Sequence, residues 1–227
     1  KYQYLESRQK NPKITFNSYL ENGKIFTPKF QDSINKDKTS NKFKQLFYAD
    51  TIKKEVALVL MKMSDKEVEI INAKFTESIN NHTKNRKKLK GTKIEKLDLT
   101  DINGKTYNLE SLKGKVIVLN FWFTKCSPCI KEIPDLNKMK EKFKSDEVVF
   151  FAITYDKSQI VRDFLQKIKI DFNVIPSAQK TIDQFKIQFF PTNIIIDKEG
   201  EIVYINEMFK GNGIEDMNKK LKKLLKK

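Results

Sequence analysis

From residue 91 onward, short apolar runs alternate with segments whose apolar residues recur at helical spacing. The apolar runs predict buried strands at 116–121, 148–153, 192–197 and 201–206. The helical spacing predicts helices near 127–143, 158–168 and 181–185, and a last helix that carries residues 214–225. Strands that alternate with helices favour an α/β fold, in which a central sheet has helices on both faces.

The N-terminal part of the chain has a different pattern. Residues 13–30 alternate around the turn sequence 21–23, Glu-Asn-Gly, and predict a β-hairpin, and the polar residues 32–42 predict a loop. Apolar residues three and four apart predict a helix over 51–63. A second helix is predicted to begin at the Ser-x-x-Glu capping box of 64–67, which binds free backbone N–H groups.

A polar, highly charged stretch at 81–91 ends in glycine and indicates a linker or a frayed helix end. It contains His82, the only histidine of the chain, and these surroundings predict a solvated surface position for it. We therefore expect two parts, a small α+β extension over 1–86 and a second domain over 91–227.

Charge and length exclude some classes of function. The 227-residue chain has a net charge of +16, but only three of its 45 basic residues are arginine, the residue that phosphate and base contacts favour. We therefore expect no nucleic-acid partner, but a solvated lysine surface; attraction to anionic membranes is the less favoured alternative. No apolar run approaches the ~18 residues of a membrane span. Because residue 1 is Lys rather than Met, a removed leader or membrane anchor stays open.

The sequence Cys126-Ser-Pro-Cys129 holds the only two cysteines. The pair follows the predicted strand 116–121 and opens a predicted helix, whose free N–H groups and dipole stabilise a thiolate at its first residue. The second cysteine lies one turn later on the same face, so the two sulfurs can form a disulfide. A zinc site would lack its remaining ligands, and a structural disulfide closing so short a loop would restrain the unfolded chain little. Thiol–disulfide exchange is the preferred interpretation.

The pattern Trp122-x-x-x-Cys126-x-x-Cys129 is followed much later by Phe-Pro-Thr at 190–192, ahead of an apolar strand. This combination resembles the thioredoxin superfamily, over about residues 91–227. The resemblance implies a thioredoxin-like fold with a central mixed sheet and helices on both faces.

Within that superfamily, three details are similar to the TlpA/ResA-like thiol–disulfide oxidoreductases. Asn120 stands in place of a buried aspartate, Lys-Glu-Ile-Pro at 131–134 follows the motif, and a hairpin at 97–109 precedes the central strand. The peroxiredoxin pattern Pro-x-x-x-Thr-x-x-Cys is absent, because Thr124 lies only two residues before Cys126.

The resemblance implies roles for the cysteines and one carboxyl group. Cys126 is expected to be the exposed nucleophile and Cys129 the resolving thiol. Glu132 occupies the position of an acidic residue that lies close to the pair in this subgroup. If it is partly buried, its pKa should be raised through desolvation, and it could exchange a proton with Cys129.

Three further residues are expected in the substrate-binding part of the site. Trp122 should pack beside the motif and exclude water. Pro191 resembles the cis-proline that faces the cysteine pair across the fold in this superfamily. Phe190, the residue before it, would then present its backbone to an extended substrate.

The resemblance also implies partners and a location. The substrates would be protein thiols and disulfides, such as apocytochrome c thiols or other secreted disulfides. A membrane thiol relay would donate electrons, in the periplasm or cell envelope. No cofactor or metal is expected beyond the disulfide itself. Because no histidine lies between the cysteines, we expect a reductant or exchange catalyst rather than a strong oxidase. The alternative is a redox-sensing or partner-binding module with little turnover.

Overall fold

A computed structural model of the protein describes residues 15–20, 42–50, 55–206 and 213–226. Contacts between Cα atoms divide the chain into two compact units, Lys1–Ser78 and Ile79–Lys227. Within the described residues, no helix is both long and apolar enough to cross a bilayer.

The first unit contains a three-stranded sheet. Its strands are β1 (Thr15–Leu20), β2 (Phe43–Asp50) and β3 (Glu55–Lys62). β3 lies in the centre, antiparallel to β2 and parallel to β1. The pairing of Asp50 with Glu55 shows that β2 and β3 run as neighbouring antiparallel strands.

The predicted helix over 51–63 is wrong, because residues 55–62 are the central strand of this sheet. The run of apolar residues from Val56 to Met61 is as long as a strand, and such a run suits a helix or a central strand equally well. Residues 55–62 form a strand rather than a helix because they pair with β1 on one side and with β2 on the other. In the predicted hairpin, residues 15–20 are a strand, and the turn and return strand lie outside the described residues, as does most of the predicted loop over 32–42.

A long helix, α1 (Asp65–Leu89), follows β3. It begins at the predicted capping box, in which Ser64 N–H donates to Glu67 Oε2 at 2.9 Å and Glu67 N–H donates to Ser64 Oγ at 3.3 Å. Of the two alternatives predicted for 81–91, a linker or a frayed helix end, the structure has a helix end, which consists of the last turns of α1 and the turn that follows them.

A five-stranded mixed sheet forms the centre of the second unit. The strands and helices that follow α1 are, in chain order, β4 (Asp98–Thr100), β5 (Thr106–Asn108), β6 (Val116–Phe121), α2 (Ser127–Lys142), β7 (Val148–Ile153), α3 (Ser158–Leu165), β8 (Asn173–Ile175), α4 (Gln179–Gln184), β9 (Thr192–Ile196), β10 (Ile202–Ile205) and α5 (Gly213–Leu224). The sheet order is β10-β9-β6-β7-β8, with β6, β7 and β8 parallel and β9 and β10 antiparallel to their neighbours. β4 and β5 form the predicted hairpin. The fold class predicted from the sequence is confirmed.

Both faces of the central sheet are covered by apolar side chains. Alternate residues of β6 point to opposite faces, as the pleat of a strand requires. Ile117 and Leu119 join a cluster with residues of the hairpin and α4. Val116 and Val118 join a second cluster with residues of α2, α3 and α5, and this cluster includes both cysteines. The cysteine pair is therefore held by the core on the α2 face of the sheet.

Candidate active site

Cys126 and Cys129 form a disulfide at the start of α2, with their Cα atoms 5.2 Å apart. Cys126 is the N-cap of the helix and has an extended backbone, while Pro128 lies in the first helical turn, where it needs no N–H. The Cys126 Sγ accepts the backbone N–H of Cys129 at 3.2 Å. The predicted strand–cysteine–helix arrangement is confirmed, and the first sulfur caps the helix by accepting one of its free N–H groups.

The sulfurs are less accessible than the sequence suggested. Cys126 is 4% exposed and Cys129 is 2% exposed, so Cys126 is not the open nucleophile we expected in this disulfide-bonded state. Trp122 is 1% exposed and packs against Phe164 with 5.1 Å between ring centroids. It lies in the same apolar cluster as both cysteines, and its role in excluding water stays a prediction. Its side chain lies inside the core and therefore does not offer a surface for direct contact with substrate.

The Phe190–Pro191 peptide bond is cis, as the resemblance implied. Phe121, the last residue of β6, pairs with Thr192, the first residue of β9. Because α2 starts just after β6 ends, Pro191 lies at the same edge of the sheet as the cysteines. The half-exposed Phe190 ring packs against the apolar cluster that contains both sulfurs. The fold thus brings two of the three predicted substrate-binding residues to the exposed side of the site.

A line of polar side chains crosses the buried α2 face of the sheet. Asn120 of β6 and Asn193 of β9 are directly paired in the sheet register and are both buried. Asn120 Nδ2 donates to Asn193 Oδ1 at 2.8 Å, and Asn193 Nδ2 donates to Glu132 Oε2 at 3.2 Å. The Asn193 backbone N–H donates to Asn206 Oδ1 at 3.0 Å. Asn193 is therefore held from three sides and orients its amide toward Glu132.

Glu132 is half-buried in α2, one turn after Cys129 on the same side of the helix. Desolvation by burial raises the pKa of the Glu132 carboxyl above its usual 4.5, and the hydrogen bond from Asn193 partly opposes this rise. A carboxyl group whose pKa is raised in this way binds a proton more readily than an exposed glutamate does, one helical turn from a thiol that must release one.

The burial of the polar residues Asn193 and His82 was not predicted from the sequence. Asn193 lies two residues after Pro191 on an apolar strand, where a polar residue is unusual and could have been noticed. His82 was expected to be solvated, but it is 3% exposed and its ring lies edge-on to Phe189, 5.0 Å between centroids. The helical face that buries His82 is hidden in the sequence by the charged residues around it.

The described fold and the cysteine pair define a thioredoxin-like protein with a dithiol–disulfide centre. Residues 90–205 match the model of the AhpC/TSA family. The chain belongs to the AhpC/TSA family and, within the thioredoxin superfamily, is ResA-like. The resemblance predicted from the motifs is confirmed.

Curated relatives carry the name thiol-disulfide oxidoreductase ResA. One from Bacillus thuringiensis subsp. konkukian is 33% identical over 147 residues, which cover 64% of this chain and 82% of that protein. One from Bacillus thuringiensis strain Al Hakam is 39% identical over 107 residues, which cover 46% of this chain. The chain spans 62% of the length of the latter relative and of two similar ones.

Solved structures agree on the fold. The thioredoxin domain of a thiol-disulfide oxidoreductase from Bacteroides vulgatus is 25% identical, with a TM-score of 0.51, and the match covers 58% of this chain and 96% of that one. A thiol:disulfide interchange protein of the thioredoxin family from Chlorobium tepidum is 24% identical, with a TM-score of 0.52, and the match covers 60% of this chain and 97% of that one. The thioredoxin-like fold is the shared feature.

Proposed function

We propose that the protein is a thiol–disulfide oxidoreductase that reduces or exchanges disulfides of extracytoplasmic proteins through Cys126 and Cys129. The observation that carries this proposal is the Cys129 N–H group, which donates to the Cys126 Sγ at the first turn of α2. A donor in that place stabilises a negative charge on the first sulfur and so favours its thiolate over the thiol. The ResA name of the curated relatives supports the same chemistry.

The reaction proceeds from the dithiol form in two exchanges. The Cys126 thiolate attacks one sulfur of a substrate disulfide, forms a mixed disulfide, and releases the other sulfur as a thiolate that takes up a proton. The Cys129 thiolate then attacks the Cys126 sulfur and releases the second substrate thiol. Two electrons pass to the substrate, and the Cys126–Cys129 disulfide remains. A reduced thiol donor must regenerate the dithiol before the next turnover.

Glu132 serves the second exchange. Cys129 is buried and must lose its proton before it can attack, and water has little access to it. Glu132 lies one turn along the same helix, and its carboxyl group, with its raised pKa, accepts that proton directly or through one water. The hydrogen bond from Asn193 stabilises the carboxylate form that this step needs.

The proposed partners follow from this chemistry and from the ResA-like relatives. Substrates are protein disulfides or thiols, and a membrane thiol relay supplies the electrons. The proposed location is the periplasm or cell envelope, with attachment to the membrane. A second function, a redox sensor with little turnover, is favoured by one observation: both sulfurs are nearly inaccessible in the disulfide state.

Trapping and turnover separate the two functions. Cys129→Ser should accumulate mixed disulfides that Cys126→Ser, its matched control, does not form, and mass spectrometry of the trapped species identifies the substrates. Wild-type protein should reduce insulin with dithiothreitol through many turnovers. Trapping through Cys126 without insulin turnover would support the sensor. Normal turnover by Cys126→Ser would contradict the assignment of the nucleophile.

A further inference from the structure

Three aromatic residues lie at the edge of the central sheet where α2 begins. Phe123 comes two residues after β6, Tyr155 two residues after β7, and Phe190 two residues before β9. β6 and β7 are parallel and β9 is antiparallel to β6. The three positions therefore fall at one edge, although they are far apart in the sequence.

The three rings form one contiguous surface, which we call the aromatic platform. Phe123 stacks on Tyr155 with 5.5 Å between centroids, and Phe190 stands edge-on to Phe123 at 5.4 Å and to Tyr155 at 5.8 Å. Tyr155 is 38% exposed, and Phe123 and Phe190 are half-exposed. Large aromatic side chains are favourable to bury, so a group of them that stays open to solvent is typical of a binding surface.

The platform is continuous with the disulfide. Phe123 lies in the same turn as the nucleophile, because its carbonyl accepts the Cys126 N–H at 3.0 Å. Phe123 and Phe190 both pack against the apolar cluster that contains the two sulfurs. A substrate segment whose sulfur reaches Cys126 therefore has its neighbouring side chains beside these rings.

The loops that carry the rings are tied together. The Thr124 N–H, next to Phe123, donates to Asp156 Oδ2 at 2.6 Å, and Asp156 is next to Tyr155. The Asp156 N–H donates in turn to Thr154 Oγ1 at 3.1 Å. These hydrogen bonds fix the positions of the two loops relative to each other, so the loops lose little conformational entropy when a ligand binds.

We propose that the aromatic platform binds an apolar side chain, aromatic or long aliphatic, within a few residues of the reacting cysteine of a polypeptide substrate. Phe123 and Tyr155 are then specificity-determining residues of the site. The inference rests on the proposed function and adds its substrate class. The net charge of +16 would instead favour acidic segments. A group of three aromatic rings, two of which pack against the cluster that contains the sulfurs, makes an apolar neighbour the better match.

The test compares three synthetic peptides with the same internal disulfide and Phe, Ser or Asp beside the cysteine. For the wild-type dithiol, kcat/KM should be about three- to tenfold higher for the Phe peptide than for the Ser peptide, as expected for one aromatic contact beyond simple burial. Tyr155→Ala should reduce this ratio, and Phe123→Ala with Tyr155→Ala should bring it close to one. Because a ratio within one variant is compared, a general loss of activity does not affect it.

Ile160→Ala is the matched control, since Ile160 is 44% exposed on α3 and lies outside the platform. It should keep the wild-type ratio. A preference for the Phe peptide that survives in the double variant, or a wild-type preference for the Asp peptide, would overturn the inference. If wild-type protein reduces neither the peptides nor a small disulfide such as oxidised glutathione, the proposed function itself fails. Reduction of oxidised glutathione with equal rates for the three peptides refutes the platform alone.

Discussion

Replacing Asn193 with valine should raise the pKa of Glu132 further. In the wild-type protein, burial raises that pKa and the Asn193 Nδ2 hydrogen bond, 3.2 Å to Glu132 Oε2, lowers it. Valine removes the donor and keeps the site dry, so only desolvation remains. The Asn120 amide also loses its acceptor, and the variant should be less stable by about 1–3 kcal/mol, as expected for an unsatisfied buried polar group.

The size of the pKa change follows from the strength of the lost bond. A hydrogen bond to a charged group contributes about 1.5–3 kcal/mol to stability. Because Glu132 is half-buried, water replaces part of the lost interaction, and the lower end applies. About 1.4 kcal/mol is a tenfold change in proton affinity, so the titration midpoint should move up by about one pH unit.

Carbon-13 NMR of the glutamate side chains measures this directly in the disulfide-bonded protein, where the cysteines do not titrate. Glu132→Gln identifies the resonance by its loss. Asn173→Val is the control, because Asn173 is another asparagine of the central sheet whose Nδ2 donates a hydrogen bond, to the Phe150 carbonyl at 3.0 Å, although it is half-buried where Asn193 is buried. It should destabilise the protein without moving the Glu132 midpoint.

A Glu132 midpoint that stays in place or falls in Asn193→Val would refute the reasoning, because the Asn193 hydrogen bond would then not lower the pKa of Glu132 in the wild-type protein. An equal change in Asn173→Val would show that general loosening of the fold, rather than the Asn193 bond, controls the carboxyl group.

Three further predictions concern pH and redox potential. The folded-state pKa of Glu132 lies above 4.5, so the free energy of unfolding of the wild-type protein should fall as pH rises from 4.5 through that pKa and Glu132 ionises. In denaturant titrations, Glu132→Gln should therefore be more stable than wild type at neutral pH, by up to about 1 kcal/mol after solvent screening. Below pH 4.5 it should be no more stable than wild type. Burial, and to a smaller extent the charge of Arg86, lowers the pKa of His82 below 6.5 in the folded protein. Below pH 6.5 the unfolded chain therefore binds a proton at His82 more readily than the folded protein does, and the free energy of unfolding should fall as pH drops. His82→Phe should weaken this pH dependence. Equilibration with glutathione should give a potential nearer roughly −270 mV than roughly −120 mV, and a value at the oxidising end would favour an oxidase.

The elements of the second unit were predictable because their signals are local. The apolar runs 116–121 and 148–153 are strands with those bounds, and the helix after Cys126 ends within one residue of its predicted end. The secondary structure of the first unit was harder to predict from the sequence. Residues 55–62 form a strand because β1 and β2 pair with them, and that pairing depends on residues elsewhere in the chain.

The candidate site divides in the same way. Cys126, Cys129 and Pro191 are identified by short motifs, and Glu132 by its spacing from them. Asn193 becomes part of the site only because β9 pairs with β6 in the register that sets it opposite Asn120. Tyr155 reaches Phe123 only because β6 and β7 end at the same edge.

The position of the reactive thiols, and the start of a helix at the first of them, can be predicted from local sequence, because a strand, a turn and a helix N-terminus are encoded by neighbouring residues. Three other properties are known only from the folded protein: the low exposure of the two cysteines, the amide that donates to Glu132, and the burial of His82 against Phe189. Those properties depend on burial and on strand register, which are set by contacts between residues distant in the chain and leave no periodic signal in the sequence.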